Sequence, residues 1–80
     1  MEHRTAGDHL LAWQTLASLI ADHPDYLAAY APAAAALCAL DRKAEAREVY
    51  SKGIAVAERR KDQHARAHLE TMLATLDADG

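Results

Sequence analysis

The sequence predicts an all-α domain of four antiparallel helices, and three observations carry that expectation. Residues suited to strands are sparse: there is no Phe, and Val occurs only as Val49 and Val56. Alanine and leucine, which favour helices, dominate instead. Breakers then divide the chain into four segments, each with its own apolar pattern at helical spacing.

Asp8 is expected to cap a first helix that runs to about Ala21 and stops at His23-Pro24. Its apolar stripe is Leu10, Trp13, Leu16, Ala17 and Ile20. Asp25 is expected to cap a second helix, from Tyr26 to about Leu40. This one is unusual, because no residue from Tyr26 to Leu40 is charged. One stripe is Leu27, Tyr30, Ala34 and Leu37; the opposite one, Ala28, Ala31, Ala35 and Cys38, is also apolar. A helix apolar all round needs cover on every side. Pro32 lies within it and removes a backbone bond unless the helix starts later than Tyr26.

Asp41 is expected to cap a third helix, from Arg42 to about Arg60. It has an apolar stripe of Ala46, Val49, Tyr50, Gly53, Ile54 and Ala57, with Arg42, Glu45, Glu48, Lys52 and Arg59 facing water. Asp62 is expected to cap a fourth, from Gln63 to about Leu76, with Ala65, Leu69, Met72, Leu73 and Leu76 turned inward. Connections this short make neighbouring helices antiparallel. The expected organisation is a flexible N-terminus over 1–8, one helical domain over 9–76, and a frayed tail over 77–80.

Composition limits the function. Eighty residues make one domain, and a core this small is marginal. The net charge is −3, which disfavours a phosphate-binding surface and hence nucleic acid. No run reaches the ~18 apolar residues of a membrane helix, and the first residues do not read as a signal peptide. The single Cys38 cannot pair within the chain, which fits a reducing, cytoplasmic setting.

Sliding the chain by 34 residues sets Ala12 on Ala46, Leu16 on Tyr50, Ile20 on Ile54, Ala21 on Ala55, Ala31 on Ala65 and Ala33 on Ala67. Two helices per period of 34 is a recognised repeat length. With Tyr30, Ala33, Ala34 and Leu37 at the spacing of a first helix, and Ala46 and Tyr50 at that of a second, the sequence resembles the tetratricopeptide repeat family. Ala12, Leu16 and Pro24 match the second helix and closing proline of a preceding half-repeat. The resemblance spans about 10–76: half a repeat, one degenerate repeat over about 27–60, and a closing helix over 63–76. Ala33 stands where the family has Leu, Leu37 where it has an aromatic, and Glu58 where it has proline.

The resemblance implies a short right-handed α-α superhelix and a non-enzymatic role in protein–protein interaction. It implies a groove lined by Ala28, Ala31, Ala35, Cys38 and Ala39. Those positions carry no Lys or Asn, so a clamp for a terminal carboxylate is not expected. A flat apolar groove suits a partner's peptide or helix, or a second copy of the chain. Two alternatives stay open: a self-associating structural unit with no separate partner, and a metal-binding protein using His64 and His68, four apart on the fourth helix. The bland reading of that pair is two solvated histidines, and no metal or other cofactor is expected. Cys38 reads as an inert thiol, and Arg59, Arg60 and Lys61 as a basic run at the negative end of a helix. Trp13 reads as core. No nucleophile motif or phosphate loop occurs.

Overall fold

The computed structural model describes residues 6–79, and side chains over 8–78. Among the described residues four helices occur in order: α1 (Ala6–Asp22), α2 (Tyr30–Ala39), α3 (Lys43–Arg59) and α4 (Gln63–Asp79), with a 3-10 turn, Leu27–Ala29, leading into α2. No strand occurs among the described residues. Each helix packs chiefly on its neighbours in the chain, α1 on α2, α2 on α3, α3 on α4. The architecture is therefore an open, repeat-like row and not a closed four-helix bundle. Its extents, 41 × 31 × 22 Å, are those of a flattened slab.

Pro32 sets the start of α2. A regular helix from Tyr26 would need a backbone donor at position 32. The chain makes a 3-10 turn instead, with Ala29 as the N-cap of α2. Pro32 then falls in the first turn, where no donor is required, and the helix needs no kink. The expected cap at Asp25 is thereby displaced. Its carboxylate accepts a hydrogen bond from Arg59 at the end of α3, and its carbonyl accepts one from Arg60 at 3.3 Å. Tyr30 donates its hydroxyl proton to the Pro24 carbonyl at 2.5 Å, tying down the same loop.

Asp41 does not cap α3 either. It has φ 61° and ends α2: its N–H reaches the Cys38 carbonyl at 3.0 Å, and the Arg42 N–H reaches the Leu37 carbonyl at 2.9 Å. That pair of bonds is a Schellman ending. It uses residue 41, so the start of α3 moves on by one and Arg42 becomes its N-cap, without a side-chain capping bond. Lys61 repeats the device after α3 with φ 58°; Lys61 N–H bonds Glu58 O at 3.1 Å and Asp62 N–H bonds Ala57 O at 2.9 Å. Here the next residue does cap, because Asp62 Oδ1 accepts from the Ala65 N–H at 3.1 Å. At the chain's start, α1 begins at Ala6, so Asp8 lies within its first turn and is not its cap. Of the N-terminus expected to be flexible, residues 1–5 lie outside the described residues and 6–8 are helical. Of the expected tail, 77–79 continue α4, and Gly80 lies outside the described residues.

The core sits between α2, α3 and α4. Tyr30, Ala33, Ala34 and Leu37 meet Ala46, Val49, Tyr50 and Val56, with Leu69 and Leu76 closing from α4. Ala34 and Ala46 have no exposed surface, as small residues at close helix contacts should. No described side chain of α1 is buried. Trp13, Leu16 and Ile20 are only partly covered, by contact with the core's edge, and Leu10 is exposed. One neighbour covers one flank, and α1 has only α2. Aligned positions 34 apart show the same end effect. Ile20 and Ile54, Ala21 and Ala55, and Ala31 and Ala65 have like exposure, whereas Ala46 and Ala33 are buried but Ala12 and Ala67 are exposed. The mismatches fall on the terminal helices, which lack a second neighbour.

Candidate functional site

Because α2 and α4 both lean on α3 and hardly touch each other, a trough runs between them over α3. It deepens into two hollows. One, of about 280 Å3, lies among Cys38 of α2, Lys43 and Tyr50 of α3, and Met72, Thr75 and Leu76 of α4. The other, of about 570 Å3, lies between the lead-in to α2 (Tyr26, Leu27, Ala28) and the start of α4 (Asp62, Ala65), beside Arg60. Ala31 and Cys38, seven apart on α2, share one flank of the helix, and Leu27 borders the larger hollow from the 3-10 turn ahead of it, so the wall between the hollows is apolar.

The five candidate groove residues divide into two sets. Cys38 and Ala31 lie on the trough flank and are half-buried against the core. Ala28, Ala35 and Ala39 are exposed along the crest of α2, and of these Ala28 also borders the larger hollow. The opposite wall, Ala65, Met72 and Thr75 of α4, is not among the candidates. Met72 reads as core from its stripe position, yet it is exposed at the rim. The signal for it is the same helical spacing, applied to a helix with a neighbour on one side only.

Two tyrosines serve this region differently. Tyr30 lies under the junction of α2 and α3 with its hydroxyl bonded to Pro24. Tyr50 forms the floor of the smaller hollow. Burial raises the phenol pKa of both above the ordinary value; for Tyr30, Arg59 partly opposes this and Asp25 adds to it, and for Tyr50, Cys38 adds to it. Both rings are therefore neutral structural groups near pH 7.

The other candidates stand apart from the trough's floor. His64 and His68 are both exposed on α4. Among the described residues no group of three or more His, Cys, Asp or Glu converges on a point. In the basic run, Arg59 and Arg60 hold Asp25 and Lys61 occupies the Schellman position, so each has a local structural task. Trp13 is half-buried where α1 meets the core. No helix is long and apolar enough among the described residues to cross a membrane. Comparison with models of known protein families, with curated proteins and with solved structures finds no match.

Proposed function

We propose that the chain is a non-enzymatic protein-interaction module of tetratricopeptide type, which takes a partner's helix or extended segment in the trough between α2 and α4. The observation that carries this reading is the trough itself: two helices held apart by a third, with Leu27, Ala28, Cys38 and Met72 along its walls. An apolar strip in a concave site supports a docking role over a catalytic one. The half-buried, unpaired Cys38 supports a reducing compartment such as the cytoplasm.

The test is affinity capture from native cells, followed by reconstitution with the purified partner. Met72→Glu places a charge at an exposed rim position and should abolish reconstituted binding while the helical circular dichroism stays unchanged. A folded Met72→Glu protein that binds its partner as well as wild type refutes the trough as the site. Self-association is a second reading, supported by α1, in which no described side chain is buried and Leu11 is 64% exposed. Sedimentation equilibrium separates the two, since the first needs no dimer.

A further inference from the structure

We propose that His64 and His68 form a chelating site for a late first-row divalent cation, of the zinc, nickel and copper class. The site stands on its own geometry and does not depend on what the trough binds.

Both histidines lie within α4 and both are exposed. Residues four apart stand one above the other on a helix surface, with Cβ atoms about 5–6 Å apart. Two imidazoles that lean together from such positions can each place a nitrogen about 2.0–2.1 Å from one shared ion, the ordinary zinc–imidazole distance. The same spacing on a helix holds zinc in the metalloprotease motif. That motif has a glutamate after its first histidine, where this chain has Ala65. The pair can therefore hold an ion without the general base that hydrolysis needs.

Bringing the rings together breaks nothing. Among the described residues neither imidazole hydrogen-bonds or pairs with another group. Within three residues of the pair the charges balance, Lys61 and Arg66 against Asp62 and Glu70. Arg60, further off, is held at the Asp25 carbonyl. The positive end of α4 disfavours a cation, but water screens that effect at an exposed site.

Among the described residues no third His, Cys, Asp or Glu converges on the pair. The chain therefore supplies two ligands and water the remainder, which makes an exchangeable site and not a closed structural one. The donor set also selects the ion. Imidazole suits zinc, nickel and copper, whereas magnesium and calcium take oxygen ligands. The two rings line up only while residues 64–68 are helical, so a bound ion braces the first turns of α4. That helix packs chiefly on α3 alone, and a brace there adds to its stability.

The test is calorimetric titration of the full, untagged chain with zinc chloride in a non-chelating buffer, with thermal unfolding alongside. Zinc should bind and raise Tm, and magnesium and calcium should do neither. His64→Ala and His68→Ala should each weaken zinc about tenfold or more, at least the loss that removing an outer-shell partner brings at a metal site. Combining His68→Ala with Thr71→His keeps two histidines on one face but sets them seven residues apart, about 10.5 Å along the axis. That is too far to share an ion, so this chain should bind no better than His68→Ala. Circular dichroism checks that each variant is folded. In the wild type, the ring-proton NMR signals of His64 and His68 should move together as zinc is added, and ahead of those of His3, His9 and His23. Zinc that moves those other rings first overturns the site. So does equal affinity in the chain with seven-residue spacing, or no binding at millimolar zinc.

Discussion

Replacing Gly53 by alanine should destabilise the protein, although alanine is the better helix former. Gly53 is mid-helix in α3, and the exchange alone would gain about 1 kcal/mol of helix propensity. The new Cβ, however, would sit 2.9 Å from Tyr30 Cβ, 3.1 Å from Tyr30 Cγ and 3.0 Å from Leu69 Cδ1. Favourable carbon contacts are about 3.5–4.0 Å. The Leu69 methyl can rotate away. Tyr30 cannot, because its Cβ is fixed by the α2 backbone and its ring is anchored through the bond to Pro24. Relief therefore requires α2 to move off α3. Overpacking of this kind costs about 1–3 kcal/mol, and taking the upper half of that range for a backbone shift leaves a net loss of about 1–2 kcal/mol. In a chain this size that is a fall of about 5–15 °C in Tm. The assay is thermal and urea unfolding followed by circular dichroism, with Ala55→Gly at an exposed α3 position as the propensity control. A Gly53→Ala protein with a raised midpoint, mirroring the loss in the control, would refute the close contact of α2, α3 and α4 at this point.

Ala46→Leu should cost about 1–3 kcal/mol by overpacking the α2–α3 contact; an unchanged urea midpoint would contradict the full burial of Ala46. Lys61→Gly should stabilise by about 1 kcal/mol, because Lys61 holds a left-handed φ of 58° that glycine adopts freely; a lowered Tm would count against the Schellman ending. Asp62→Ala should lose about 1 kcal/mol with the N-cap bond, read by the same unfolding curves. Burial raises the folded-state pKa of Tyr30 and Tyr50, so the folded chain holds these protons more tightly than the unfolded one. Their contribution is whole below the ordinary phenol pKa of about 10 and is lost as pH rises through the raised folded values. Tm should therefore fall above about pH 10, and less steeply in Tyr50→Phe; an equal slope in that variant would show that Tyr50 does not carry the effect.

Helix number, turn positions and most of the α2–α3 core are legible in the sequence. The reason is that they depend on local pattern. Leu27, Tyr30, Ala34 and Leu37 recur at helical spacing, and so do Ala46, Val49, Tyr50 and Gly53. Helix starts are less legible. An aspartate before an apolar run looks the same whether it caps the next helix, as Asp62 does, or ends the previous one, as Asp41 does. The choice depends on which residue takes the left-handed position, and neither turn offers a glycine to mark it. The trough was half legible. The uncharged stretch from Tyr26 to Leu40 marks one wall. The other wall depends on how far α4 stands from α2, which no local pattern encodes, and so Met72 looks like core.

The two ends of the row differ in what they allow to be added. The outer face of α4 presents His64, Ala67, Thr71 and Ala74, with His68 and Glu70 at its edges, all exposed. A further helix packed there would take the His64 and His68 imidazoles out of water, and with them the Glu70 carboxylate that Arg66 faces. The outer face of α1 presents Leu11, Gln14, Thr15 and Ser18, all exposed, with Asp8 and Asp22 continuing the same stripe at its two ends. A contact centred on Leu11 and Thr15 leaves both carboxylates at its rim, and Leu11 supplies an apolar anchor. Leu11 therefore makes the α1 face a candidate for contact between copies. A contact of α1 with α1 is isologous, so it uses the same patch on both chains and leaves none free. Self-association through α1 then stops at two copies and cannot grow into a filament. Its sedimentation profile should fit monomer and dimer alone, and larger species would require a second surface besides α1.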